Sequence, residues 1–264
     1  MKTIVVPTDF SVASENAMQY AGHLAMKVNA SVYLVHVYEL PVSMNEAPTI
    51  IISAEELKKA ADAGLDRACQ LLKQYFPSLD IQTESRLGGV ADELKDLNQK
   101  LNPLAIVTGK HSNSVVDRLL TGSTILSIIR HLKVPVISVP QSSTQHEIKT
   151  VVFAIEAKPS ENTLKRIKNF IETVQAQLHV IHISQKDETD FDLKNIAPDL
   201  NYTGHVIHNS EFIPGIQAYI NIHKADLLMV IPHHHTLLER LFFKTHTKEV
   251  VEQITIPVVS MPED

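Results

Sequence analysis

The chain has 264 residues, a net charge of −6, one cysteine and 44% hydrophobic residues. That balance leaves no broad basic footprint for nucleic acid, and a lone Cys69 excludes an intrachain disulfide. The length suits one large domain or two of about 130 residues.

The opening Met1-Lys2-Thr3-Ile4-Val5-Val6-Pro7 turns polar at Thr8-Asp9, too early for a signal peptide. No apolar run is long enough to span a membrane, so a cytoplasmic protein is expected. Ile4-Val5-Val6 reads as a short buried strand and Pro7 to Ser11 as the turn after it. Ala17, Tyr20, Ala21, Leu24, Ala25 and Val28 then recur at helical spacing, with Ser11 or Ser14 as the start. Val32 to Val37 forms a second strand. Pro41 and Pro48 mark residues 38–52 as a loop, a candidate lid. A long helix is predicted from about Ala54 to Tyr75, with Leu57, Ala61, Leu65, Ala68 and Leu72 facing in. Leu79 to Glu84 reads as a third strand, and Gly88-Gly89 turns into a helix bearing Val90, Leu94, Leu97 and Leu101.

Ala105-Ile106-Val107 has the β-branched bias of a buried strand. Gly109 ends it, where a sharp turn calls for positive φ. Gly122-Ser123-Thr124 precedes the apolar helical face of Ile125, Leu126, Ile128 and Ile129. Small and hydroxyl residues at a helix start leave N–H groups for an anion, above all a phosphate. A plain strand-end turn and a plain N-cap explain the same residues. Val134 to Val139 is a fifth strand.

Strands alternating with helices imply a parallel sheet covered on both faces. After the polar linker Gln141 to Glu147 the pattern restarts. Lys149 to Glu156 repeats Lys2 to Asp9, and Leu178 to Ile183 repeats Val32 to Val37. Ala225 to Val230 repeats Pro103 to Thr108, and Ile256 to Ser260 repeats Val134 to Ser138. The expected architecture is α/β. Two tandem doubly wound domains, 1–140 and 148–264, each carry a five-stranded, mainly parallel sheet with helices on both faces, and they pack as an intramolecular pseudo-dimer. Pro135 and Pro257 mark matching edge strands that could pair.

Features shared by the halves should serve the fold, and features of one half alone a ligand. His36 and His182 occupy one strand position and read as hydrogen-bonded structural histidines. The phosphate turns are not shared. Gly109 aligns with Ile231, Thr8 with Ile155, and Gly122-Ser123-Thr124 with Lys244-Thr245-His246. The second half is therefore expected to hold no nucleotide. Asp9 either caps the first helix or holds a divalent ion such as magnesium beside a phosphate.

Pro7-Thr8-Asp9-Phe10-Ser11, together with Gly109, Gly122 and Ser123 at their spacing, resembles the universal stress protein family. The likeness extends over the whole chain as a tandem pair, and Ser112 stands where the family pattern has its second glycine. The resemblance implies an adenine-nucleotide site, for ATP with magnesium, of Pro7, Thr8, Asp9, Val37, Thr108, Gly109, Ser112, Gly122, Ser123 and Thr124. Thr8, Asp9 and Val37 would hold the adenosine end, and Gly109, Ser112, Gly122, Ser123 and Thr124 would line the phosphates. It also implies a cytoplasmic stress-response protein that dimerises, with tandem members pairing their halves within one chain.

Catalytic machinery is hard to find in the sequence. There is no Gly-x-Ser-x-Gly elbow and no Walker-type Gly-Lys-Ser/Thr, so ATP hydrolysis would be slow and incidental. Two other readings stay open. One is a nucleotide-free scaffold or dimerisation module. The other is a metal-binding loop of His233-His234-His235, with His223 and His246 nearby in sequence.

Overall fold

The computed structural model describes residues 2–40, 53–110, 128–129, 132–144, 147–155, 157–184, 193, 196–197, 200–208, 212–232 and 254–263. The N-terminal half supplies β1 (Lys2–Pro7), α1 (Val12–Val28), β2 (Ala30–Tyr38), α2 (Ala54–Tyr75), β3 (Ile81–Leu87), α3 (Val90–Leu101), β4 (Ala105–Lys110) and β5 (Val136–Pro140). The C-terminal half supplies β6 (Thr150–Ile155), α4 (Glu161–Val174), β7 (Gln177–Ser184), β8 (Thr203–His208), α5 (Phe212–His223), β9 (Leu227–Val230) and β10 (Val258–Ser260).

Ten strands form one sheet in the order β3-β2-β1-β4-β5-β10-β9-β6-β7-β8. Every pairing is parallel except β5 with β10. That pair runs antiparallel at the centre, with Val259 opposite Ile137. Each of the two strands would be an edge within its own half, and each covers the other's unpaired backbone groups. Pro135 and Pro257 fall just before the strands begin, so neither removes a donor from the ladder.

The helices cover both faces. One core layer gathers Ala17, Leu24, Leu65, Leu72, Ile167, Phe170 and Val174 from α1, α2 and α4 and runs across both halves. The other gathers Leu94 and Leu97 of α3, Ile128 and Ile129, and Ile216 and Ile220 of α5. Burying each such leucine or isoleucine contributes about 1.5–3 kcal/mol. Of the predicted inward residues of α2, Ala61, Leu65, Ala68 and Leu72 are buried, while Leu57 is only partly covered.

The third strand lies later than its apolar start implied. It spans Ile81–Leu87 because it follows β2 from Val32 to Tyr38. It is an edge strand whose polar residues have partners of their own. Arg86 bonds Glu93 at 2.6 Å and Asp96 at 2.5 Å on α3. Tyr33 donates to Glu84 at 2.6 Å.

Candidate functional site

In a doubly wound sheet, ligands meet the carboxyl ends of the strands where the order reverses. Here β1 lies between β2 and β4, and the three carboxyl ends form one rim. Pro7 ends β1 with Thr8 and Asp9 just beyond it, Val37 is the last residue but one of β2, and Thr108 and Gly109 precede Lys110 at the end of β4. These sequence-selected residues come together at one sheet edge. Ser112, Gly122, Ser123 and Thr124 lie outside the described residues, as does the segment 41–52.

Thr8 is the most constrained of the set. Its N–H donates to the Val35 carbonyl at 2.9 Å. Its buried hydroxyl donates to Ser14 Oγ at 3.0 Å and accepts from Phe10 N at 3.1 Å. His36 Nδ1 lies 2.7 Å from the Thr8 carbonyl oxygen. A carbonyl only accepts, so Nδ1 carries the proton in this contact. Asp9 does not cap α1. Its Oδ1 accepts from Ser11 N at 3.1 Å and Ser11 Oγ at 2.5 Å, closing a local turn. Ser11 is the cap, accepting from Ser14 N at 3.3 Å.

Between them Phe10 takes φ 63°, the left-handed region that bulky residues avoid. Two neighbours hold it there. Its ring stacks on His36 at 4.4 Å. Its other side meets Gly64 of α2, where an added Cβ would stand 2.5 Å from Cζ. None of this is signalled by the turn sequence itself. Gly64 inside a long helix is the one visible clue, since an interior glycine needs a packing reason.

Gly109 has a different role from the one expected. It does not adopt positive φ and does not form a turn. It is an extended residue of β4 paired with Val139. A Cβ there would lie 2.4 Å from the carbonyl oxygen of Ala13. Gly109 therefore lets the first turn of α1 approach β4. Ile231, its counterpart, is buried and fills the equivalent core layer.

Thr108 and Ser138 pair in register across β4 and β5. Ile106 and Val136, two residues earlier, belong to the α3-side core, so alternation sends both hydroxyls to that face. Both are fully buried, and neither hydroxyl has a hydrogen-bond partner among the described residues. An unpaired buried hydroxyl costs free energy, which a ligand or water can recover. Ser138 was missed by motif reading because it belongs to no motif; register alone brings it beside Thr108. Lys110 ends β4, and burial lowers its proton affinity.

The second half repeats the frame with part of the polar lining: Val230 stands where Thr108 does, while Ser260 keeps the buried hydroxyl of Ser138. His182 Nδ1 lies 3.1 Å from the Ile155 carbonyl, matching His36 and Thr8. Both histidines are therefore parts of the fold, as their shared position implied. Ile155 brings a buried alkyl group where Thr8 brings a hydroxyl.

The universal stress protein family model matches residues 1–140. The chain belongs to the universal stress protein family. Universal stress protein G of Salmonella typhimurium is 31% identical over 146 residues, covering 52% of this chain and 98% of that protein. Universal stress protein MJ0531 of Methanocaldococcus jannaschii is 27% identical over 140 residues, covering 52% of this chain and 81% of that protein. The crystal structure of a universal stress protein from Archaeoglobus fulgidus shares the fold over 99% of this chain and 96% of its own, with a TM-score of 0.71 at 17% identity. Sequence likeness thus marks the first half as a universal stress protein domain, and the fold likeness extends over both halves. Among the described residues no helix is long and apolar enough to cross a membrane.

Proposed function

We propose that this universal stress protein binds one adenine nucleotide at the rim formed by β1, β2 and β4 and acts as a sensor or regulator rather than a catalyst. The observation that carries this is the buried Thr108 hydroxyl, with no hydrogen-bond partner among the described residues, on the same sheet face as Val37 where the ends of β1, β2 and β4 adjoin. Val37 offers an apolar wall for a base, and Thr108 with Ser138 offers hydroxyls for its sugar or phosphates. Asp9 bears the carboxylate suited to a magnesium ion accompanying ATP. In this reading residues 1–140 form the binding domain and residues 148–264 a partner domain without a nucleotide. The two join through β5 and β10 as a pseudo-dimer in the cytoplasm.

Calorimetric titration of tag-free protein with ATP and magnesium tests the proposal. One site per chain is expected, with affinity weakened about five- to tenfold in Thr108→Val, the loss of one hydrogen bond. Two sites per chain, or none, would overturn it.

A nucleotide-free scaffold is the competing reading. It is favoured by Asp9 Oδ1 and the Thr8 hydroxyl, which are already satisfied within the turn. It predicts no heat on titration and no nucleotide released when the purified protein is denatured.

A further inference from the structure

The far end of the C-terminal half carries an aromatic cluster that the nucleotide reading does not use. His179 comes from β7, His205 from β8, and Tyr219 and His223 from α5. The register sets Ile181 opposite His205, which leaves His205 diagonal to His179 on the face covered by α5. The ring centroids of His179 and His223 are 5.2 Å apart, those of His205 and His223 5.8 Å, and those of His179 and His205 6.3 Å. Tyr219 is buried against all three, and its hydroxyl lies 3.0 Å from His179 Nδ1. The three histidines are themselves only partly buried, so solvent reaches them.

These separations have a chemical meaning. A zinc–nitrogen bond is about 2.0–2.1 Å, which sets imidazoles sharing one tetrahedral ion with centroids roughly 5–5.5 Å apart. The trio lies at or within about 1 Å of that spacing, on three separate elements. The Tyr219 hydroxyl engages the ring nitrogen of His179 that would not bind the ion, the arrangement by which an outer partner orients a ligating histidine. Among the described residues no group of three such side chains is arranged to hold a metal ion as it stands, so binding requires the three rings to rotate toward one another.

We infer that His179, His205 and His223 form a binding site for one divalent transition-metal ion of the zinc class. Three neutral imidazoles with a fourth position left to water suit zinc, nickel or copper and not magnesium or calcium, which take oxygen ligands. The ion would tie the last turn of α5 to β7 and to the edge strand β8. The proposed ligands do not include the His233-His234-His235 run, which lies outside the described residues.

The test is a calorimetric titration of tag-free, full-length protein with zinc chloride after chelator treatment, with cobalt(II) absorption as the geometric readout. One ion per chain is expected, with visible cobalt bands of tetrahedral intensity. His205→Gln and His223→Gln should each weaken binding by at least about tenfold. A variant with His233, His234 and His235 all changed to Ala should keep the wild-type affinity. No zinc uptake by the wild type would overturn the site. So would wild-type affinity in both glutamine variants, or loss of binding in the triple alanine variant. Circular dichroism of the metal-free variants checks folding. Should His205→Gln fail to fold, His223→Gln in the last turn of α5 decides the question alone.

Discussion

His36 reaches across from β2 and places Nδ1 2.7 Å from the carbonyl oxygen of Thr8, the first residue beyond β1. The same ring stacks on Phe10 at 4.4 Å. One side chain thus fixes both the strand end and the strained residue of the turn. His36→Leu should lose one hydrogen bond and one stacked pair, roughly 2 kcal/mol together. Urea unfolding measures this loss. A variant as stable as the wild type would show that the turn holds without the imidazole.

Gly64 gives a prediction of sign. In an exposed helix Gly→Ala stabilises by about 1 kcal/mol. Here the new Cβ would stand 2.5 Å from Phe10 Cζ, and the ring is backed by His36. Gly64→Ala should therefore destabilise by about 1–3 kcal/mol. In a double-mutant cycle, Phe10→Ala should remove that cost. Additive effects would refute the contact.

The paired positions Gly109 and Ile231 should both lose stability to alanine, for opposite steric reasons. Gly109→Ala drives a Cβ to 2.4 Å from a backbone oxygen of α1, an overpacking cost of about 1–3 kcal/mol. Ile231→Ala empties a buried site, a loss of about 2–5 kcal/mol. Thermal melts would show both losses. Only Ile231→Val should be mild, at about 0.5–1.5 kcal/mol.

Tyr33 predicts an alkaline signature. Burial first, and then its hydrogen bond to Glu84, push its phenol up to about 12. The neutral form is favoured in the folded state, so this stability is complete below the ordinary tyrosine value near 10. It is lost as pH rises from there toward 12. Phenolate absorbance of wild type against Tyr33→Phe should show one late-titrating group missing from the variant. A Tyr33 that ionises near 10 would contradict the contact.

Thr108→Val separates stability from binding. The Thr108 hydroxyl is buried with no partner among the described residues, so its replacement by a methyl should leave thermal stability unchanged or slightly higher. A loss above about 1 kcal/mol would mean that the hydroxyl is satisfied within the protein.

The strand–helix alternation, the repeat of the halves and the pairing of Val134–Val139 with Ile256–Met261 were all legible in the residues. Apolar period and turn chemistry are local, and burial on both faces of a parallel sheet leaves a run such as Ile4-Val5-Val6 little choice. The family resemblance was legible for the same reason, since Pro7 to Ser11 is contiguous. The shared position of His36 and His182 also marked them as structural. Tertiary structure alone decided why Gly109 is glycine, because the atom it makes room for belongs to Ala13, far away in the chain. It alone placed Phe10 at positive φ, since that strain is held by His36 and Gly64 from two other elements. It alone brought Ser138 beside Thr108 and gathered His179, His205 and His223. Such meetings depend on strand register and helix docking, and no local spacing encodes them.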